Sequence, residues 1–137
     1  MQIFFPEDTR SLRPSIAFIS TVRELSNVSM TCSWEGHVTE NKQITWKRTR
    51  GDKEDEILWN FEGTDKSITR NEATSEFVDK VVAPDKNQKS YGTQHQIVLQ
   101  DAHVEDSGEY FCVIKLTSSS EEVQTNKRTL MVYRKPL

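Results

Sequence analysis

The sequence has no long hydrophobic run, and this absence excludes several classes of protein. None of the apolar stretches in its 137 residues approaches the 18 residues that a membrane-spanning helix needs. Residues 1–14 carry charges where a secretory signal peptide has its apolar stretch. Hydrophobic residues make up only 34% of the chain, which suffices for one core and leaves little for a second. We therefore expect a single domain.

Charge of one sign is not concentrated anywhere in the chain. The formal net charge is -3, and acidic and basic residues are interleaved without forming a basic stripe. Proteins that bind a nucleic-acid backbone need such a stripe. The sequence therefore predicts no nucleic acid among the partners.

The residue patterns of common catalytic and metal sites are also missing. The chain has no glycine-rich phosphate loop and no nucleophilic serine elbow. His37, His95 and His103 are scattered, with no spacing that brings two of them to one metal, and we expect each at the surface. The sequence predicts no enzymatic activity, no cofactor and no metal.

Cysteine occurs only twice, and its surroundings are the most informative pattern in the chain. Cys32 is followed by Trp46 fourteen positions later and by Cys112 eighty positions later. The segment that ends at Cys112 reads D-x-G-x-Y-x-C, with Asp106 as its first residue and Tyr110 as its tyrosine. This combination resembles the frame of immunoglobulin domains, and of their variable type in particular.

The resemblance implies an all-β, immunoglobulin-like sandwich of two sheets over residues 15–133. In that fold a disulfide, here Cys32–Cys112, joins the two sheets beside the buried ring of Trp46. Residues 1–14 are then an N-terminal extension or the lead-in to strand A, and residues 134–137 begin a linker to a following domain. The residues expected in the core are Trp46, Tyr110, Ile97, Leu99 and Asp106.

The turn before the second cysteine has its own expected geometry. The resemblance implies that the Tyr110 hydroxyl bonds the backbone of this turn, as in a tyrosine corner. Asp106 and Ser107 can bond nearby backbone, and Gly108 is expected to provide a positive φ. Family members pair the aspartate with a basic residue near strand D, and Lys80 is the candidate for that role.

Alternating apolar residues place the strands within this frame. The sixty-six positions between Trp46 and Cys112 are too many for a constant-type domain and favour the variable type, with edge strand C′. Residues 62–76 are polar and unpatterned, so we expect C″ to be short or absent, and residues 84–91 read as a hydrophilic turn. The predicted strands are B up to Cys32, C at 43–48, C′ at 56–61, D at 77–82, E around Ile97 and Leu99, F at 109–115 and G at 127–133.

A looser resemblance extends to the first variable-type domain of cell adhesion molecules with several immunoglobulin domains. It depends on the Ile44–Lys47 segment, the long excursion before strand E and the ending 132–136. Strand G lacks the Gly-x-Gly bulge of antibody joining segments, which argues against an antigen receptor. The resemblance implies a non-catalytic recognition domain that binds a protein partner through the face of strands G, F, C and C′.

Alternation from the fixed points identifies the residues of that face. The register of C′ is open, because either Leu58 or the set Ile57, Trp59 and Phe61 points outward. Alternatively, the outward apolar residues pack under the F–G loop or under the N-terminal segment 3–5. The candidate partner-binding residues are Phe111, Val113, Lys115, Met131, Thr45, Lys47 and Trp59.

The expected location is extracellular. A structural disulfide requires an oxidising compartment, and Asn27-Val28-Ser29 is an acceptor sequence for an N-linked glycan there. We expect a cell-surface ectodomain fragment of a membrane-anchored protein, whose partner is a second copy in a weak homodimer or a related immunoglobulin domain. Two alternatives remain open: an intracellular structural module of a giant muscle protein and a secreted ligand or decoy.

Overall fold

The computed structural model describes residues 12–37, 39–84 and 93–134, which form two packed β-sheets. The predicted segments that fall in 1–11, 85–92 and 135–137 lie outside the described residues. No helix in the described part of the chain is long and apolar enough to cross a membrane. The strands are β1 Arg13–Ala17, β2 Thr21–Arg23, β3 Val28–Glu35, β4 Lys42–Thr49, β5 Glu56–Gly63, β6 Ile68–Ala73, β7 Val81–Val82, β8 Gln94–Leu99, β9 Gly108–Leu116, β10 Glu122–Gln124 and β11 Arg128–Tyr133.

The two sheets have the strand order of the predicted sandwich. The small sheet runs β1-β3-β8-β7, and the large sheet runs β2-β11-β9-β4-β5-β6 with β10 also paired to β9. Strand A, for which no bounds were predicted, is divided: β1 pairs with β3 in the small sheet, and β2 pairs in parallel with β11 in the large one. The predicted all-β architecture of two sheets, with the edge strand C′ (β5) beyond β4, is confirmed.

Strict alternation of burial explains why these segments are strands with one side in the core. In β3 the buried residues are Val28, Met30, Cys32 and Trp34, and the residues between them are exposed or half-buried. A period of two places every second side chain on the same side of a sheet, so this side faces the other sheet. The five residues predicted for the core, Trp46, Tyr110, Ile97, Leu99 and Asp106, are all buried.

The disulfide Cys32–Cys112 joins β3 of the small sheet to β9 of the large sheet, as predicted, with the two Cα atoms 6.3 Å apart. Both cysteines have no exposed surface. In the ladders, Cys32 lies opposite His95 on β8 and Cys112 lies opposite Trp46 on β4. The bond therefore sits among four neighbouring strands, at the middle of the core.

Two edge strands differ from the prediction. Strand D was expected over 77–82, but only Val81–Val82 pairs with β8, because Ser75–Phe77 forms a 3-10 helix that buries Phe77. The C″ strand was expected to be short or absent, but Ile68–Ala73 pairs with β5 over its whole length. Ile68 and Ala73 pack against the core, but Asn71 between them is polar and the register shifts after Ile68, so no regular hydrophobic alternation marks this strand in the sequence.

The last strand along the chain is interrupted and divided into β10 and β11, although it contains no glycine. The register against β9 shifts by one residue between β10 and β11, at residues 125–127. Thr125 fills the gap: its N–H donates to Cys112 O at 2.9 Å, and its hydroxyl accepts the Cys112 N–H at 3.0 Å. A buried threonine thus satisfies the backbone at a bulge for which the sequence has no Gly-x-Gly signal.

Candidate protein-binding face

The outer face is the side of the large sheet that points away from the core. The pairing registers bring its residues together: Thr45 lies opposite Val113, and Lys47 lies opposite Phe111 on one side and Ile57 on the other. Residues opposite each other in antiparallel strands share a face of the sheet. The candidate residues of β4 and β9 are therefore neighbours.

Phe111 and Val113 are on the outer face but are not exposed. Their exposed fractions are 2% and 8%, and neither belongs to the core cluster between the sheets. The Lys127 ammonium lies 5.0 Å from the centre of the Phe111 ring and donates to Thr49 Oγ1 at 3.3 Å. The prediction that these two residues form an exposed patch is wrong, and the proposed cover by residues 3–5 lies outside the described residues.

Trp59 points into the core, so its assignment to the outer face is wrong. A β-bulge between Trp46 and Lys47 of β4 leaves Leu58 without an opposite residue, and Trp59 pairs with Trp46. The bulge lets consecutive residues, Leu58 and Trp59, both be buried. The Trp59 indole donates to Asn71 Oδ1 at 2.7 Å. The open register of C′ is thereby resolved, with Ile57 outward.

The exposed apolar residues of the outer face are Ile57, Met131 and Tyr133, which expose 42%, 57% and 43% of their surface. Met131 and Tyr133 lie on β11, beside β2, whereas Ile57 lies on β5 next to the half-buried Lys47. Thr45 and Lys115 are also half-buried. Of the seven predicted contact residues, Thr45, Lys47, Lys115 and Met131 are accessible, and Ile57 joins them.

The end of the outer face near the β9–β10 turn is polar. Glu62 accepts hydrogen bonds from Gln43 Nε2 at 2.8 Å and from Asn41 Nδ2 at 3.4 Å. The bond from Gln43 is the main cause that lowers the pKa of Glu62 below its ordinary value. Arg70 and Glu72 form an exposed pair on β6 at 2.9 Å. The apolar part of the face therefore has a charged and polar border.

The turn before β9 is fixed by an ion cluster around Asp106. Its carboxylate meets Lys80 Nζ at 2.8 Å and Arg48 Nη1 at 2.9 Å, and the Tyr110 hydroxyl donates to the Asp106 carbonyl at 2.6 Å. Burial would raise the pKa of Asp106, but hydrogen bonds from the His103 N–H, Lys80 and Arg48 hold it below its ordinary value. The Lys80 pairing is present, as the family pattern implied.

Arg48 was missed as a member of this cluster. Its side chain is only 5% exposed, and it also donates from Nε to Glu56 Oε1 at 3.2 Å. The signal was available, because Arg48 follows Ile44 and Trp46 with the inward parity of β4. A buried arginine needs a carboxylate partner, and Asp106 was already expected in the core.

Gly108 has a different role from the one expected. Among the described glycines only Gly36 and Gly51 have a positive φ, so Gly108 does not provide one. A Cβ atom at Gly108 would lie 2.8 Å from the Thr49 carbonyl oxygen and 3.0 Å from Arg50 Cγ. The absence of a side chain at Gly108 allows the start of β9 to approach the end of β4 closely.

His95 is fully buried, and its expected surface position is wrong. Its ring accepts a hydrogen bond from Trp46 Nε1 at 2.9 Å and lies 3.1 Å from Asn71 Oδ1 through Nε2. Burial lowers the pKa of His95 to about 3, so the ring is neutral. His95 shares the inward parity of Ile97 and Leu99, which was a usable signal.

The other two histidines also lack metal-site geometry. His37 is 8% exposed, contrary to expectation, and its Nδ1 lies 3.0 Å from Glu40 Oε2, whereas His103 is exposed. Within 12–37, 39–84 and 93–134, no three His, Cys, Asp or Glu residues come together as metal ligands.

Asn27 lies just before β3 and is exposed. Its side-chain oxygen accepts the Asp101 N–H at 3.1 Å. Because β3 belongs to the small sheet, Asn27 is on the opposite sheet from the outer face.

Comparison with known protein families gives a match over most of the chain. The family model described as the immunoglobulin V-set domain matches residues 20–133, which is well over half of the chain. No curated protein matches the sequence.

Proposed function

Because the chain belongs to the immunoglobulin V-set family, we propose that it is a non-catalytic extracellular recognition domain of a cell-surface adhesion molecule or receptor. Domains of this family are generally binding modules, and the partner of this one is a protein. The partner is a second copy of the domain or a related immunoglobulin domain. The contact is made by the outer face, through Thr45, Lys47, Ile57, Lys115 and Met131.

The observation that carries the choice of face is the exposure of Ile57. It exposes 42% of its surface although it is in the ladder, as the second residue of β5, and it lies directly opposite Lys47. An accessible apolar residue surrounded by polar and charged ones matches the centre and rim of a protein interface. Phe111 lies on the same face but is not accessible itself, and the Lys127 ammonium lies over its ring.

The outer side of the small sheet has a different composition. Its accessible residues on β3 and β8 are mainly Ser, Thr and Gln, and Thr31 is bonded to Gln96 there at 3.2 Å. Such a side lacks the large apolar anchors that dominate binding energies. It therefore provides a matched control surface, with Gln94 as an exposed residue in regular strand.

The Cys32–Cys112 bond supports the extracellular location, because structural disulfides persist in oxidising compartments and are rare in the cytosol. An intracellular muscle module would keep these two sulfurs reduced. Thiol titration of denatured protein from its native source separates the two locations: no free thiol is expected, and two would exclude the proposal.

The test of the face compares Ile57→Asp with Gln94→Asp. Self-binding is measured by sedimentation at several concentrations and by clustering of beads that carry many copies, since multivalency amplifies weak contacts. Binding to other partners is measured with a multimer on a panel of cells. Ile57→Asp should reduce the signal at least about tenfold, which corresponds to one hot-spot residue.

Gln94→Asp should leave binding unchanged, and circular dichroism should show that both variants are folded. Met131→Asp then reports whether the contact extends from β5 to β11. Undiminished binding by folded Ile57→Asp protein would exclude the outer face as the contact surface.

A further inference from the structure

An apolar groove lies where the chain crosses from β1 to β2. Its volume is about 440 Å³, and it runs over the start of β3. Ile19 lines it with 74% of its surface exposed, the largest exposed fraction among the large hydrophobic residues of the described ranges. The groove, with Ile19 beside it, is therefore an apolar surface that another group can cover.

Both functional residues of the glycan acceptor sequence line the same groove. Asn27 and Ser29 are two of its residues, and both are exposed. The Asp101 N–H donates to the Asn27 carboxamide, so the atom that faces Asp101 is the oxygen. The nitrogen, which is the atom that receives a sugar, is therefore at the other end of the amide.

We propose that Asn27 carries an N-linked glycan whose first N-acetylglucosamine lies in this groove. The sugar arrives from a lipid-linked oligosaccharide: Asn27 Nδ2 loses a proton and bonds the anomeric carbon as the carbon–oxygen bond to the lipid diphosphate breaks. This inference rests on the extracellular location proposed above, because the transfer requires the secretory pathway. It does not depend on the identity of the partner.

The groove matches the chemistry of that sugar. Its volume falls in the range of roughly 300–1,000 Å³ that small ligands occupy. The acetamido methyl and the apolar ring face of the sugar pack against Ile19 and the edge of Phe18. The Arg128 guanidinium, 5.3 Å from the centre of the Phe18 ring, lines the groove and donates to sugar oxygens.

The Asn27 hydrogen bond to Asp101 survives the modification, because the amide oxygen is not consumed. It fixes the direction in which the sugar leaves the side chain. A tethered sugar also has a high effective concentration at a groove next to its attachment point, so weak contacts suffice to hold it there.

The test uses the domain secreted from mammalian cells behind a leader peptide. Mass spectrometry should find Asn27 occupied. Endoglycosidase H leaves one sugar on protein made with high-mannose glycans, and this trimmed protein should melt within about 1 °C of the untrimmed form. Ser29→Ala removes the glycan but keeps Asn27 and its bond to Asp101, and should melt about 3 °C lower.

A double-mutant comparison isolates the groove. Ile19→Ser should lower the melting temperature of the glycosylated protein by about the same 3 °C, and change the Ser29→Ala protein by less than about 1 °C. Val78→Ser is the control, because Val78 is a large apolar residue with 56% exposure that does not line the groove. It should affect the glycosylated and unglycosylated forms equally.

Three results would overturn the inference. Asn27 could be unoccupied in secreted, folded protein, or Ile19→Ser could have the same effect with and without the sugar. The third is a dimer of the Ser29→Ala protein that Ile19→Ser dissociates, which would assign the groove to a second copy. None of these measurements uses the Ile57 face, so their failure leaves the proposed function untouched.

Discussion

Trp46 and His95 form a second link between the two sheets, directly beside the disulfide. Trp46 Nε1 donates to His95 Nδ1 at 2.9 Å. Trp46 lies opposite Cys112 in one sheet, and His95 lies opposite Cys32 in the other. The covalent bond and the hydrogen bond therefore join the same two pairs of neighbouring strands. Since Nδ1 accepts, the ring proton is on Nε2, where Asn71 Oδ1 receives it at 3.1 Å.

The neutral state of His95 makes stability depend on pH. Burial lowers its pKa from 6.5 to about 3 in the folded protein, so between these values only the unfolded chain binds the proton. The contribution of His95 to the free energy of unfolding should therefore be greatest above pH 6.5. It should decrease by about 1.4 kcal/mol per pH unit as the pH falls from 6.5 toward 3. Urea denaturation followed by tryptophan fluorescence between pH 7 and 4.5 measures this slope.

His95→Gln is the control for that slope. Glutamine offers an oxygen to Trp46 and an amide N–H to Asn71 but does not titrate. The carboxylates with lowered pKa values, Glu56, Glu62 and Asp106, are present in both proteins, so their contribution to the slope cancels in the comparison. The slope attributed to His95 should disappear in the variant, and a slope that persists unchanged would show that another group controls it.

The Trp46 indole contributes both volume and a hydrogen bond, and two substitutions separate them. Trp46→Phe keeps a ring but leaves His95 Nδ1 without its donor, and should cost about 1–3 kcal/mol. Trp46→Ala also removes the buried volume of a residue with no exposed surface and should cost about 3–5 kcal/mol. Chemical denaturation measures both. Equal losses for the two variants would show that the hydrogen bond, not the ring, accounts for the effect.

The frame of the core was predictable because covalent and steric requirements fix it. The positions of Cys32, Trp46 and Cys112 imply the sandwich, and alternation from them gives the inward side of β3 and β4. The burial of His95 was not predicted, because a polar residue was assumed to lie at the surface. Its inward position follows from the parity of β8. The buried ring is stable there because it forms hydrogen bonds with Trp46 and Asn71, which are 49 and 24 residues away in the sequence.

The outer face was less predictable, for two physical reasons. Alternation says which side a residue takes but not whether a neighbour covers it, and Lys127, in the segment between β10 and β11, lies over the Phe111 ring. A bulge changes the parity by one residue, so Leu58 and Trp59 are both buried and Ile57 is left outside. No local signal in the sequence marks that bulge.

The members of the Asp106 cluster should contribute unequally to the free energy of unfolding. Asp106→Asn leaves the buried Arg48 without the carboxylate at 2.9 Å and should destabilise the domain by about 3 kcal/mol. Lys80→Met removes a partner that is itself 21% exposed and should cost about 1 kcal/mol or less. Thermal and chemical unfolding compare the two. A larger loss for Lys80→Met would identify the lysine, rather than the arginine, as the main partner of the carboxylate.

Gly108 and Gly51 should respond in opposite ways to the same substitutions. At Gly108 a Cβ atom meets the Thr49 carbonyl oxygen at 2.8 Å, so Ala should cost about 1–3 kcal/mol and the larger Asn more. At Gly51, φ is +56° and no atom lies within 4 Å of the added Cβ, so Asn, which tolerates this conformation, should be better than Ala. Denaturation of the four variants gives the order at each site. If Asn were the better residue at Gly108 as well, conformation rather than close approach would explain the glycine there.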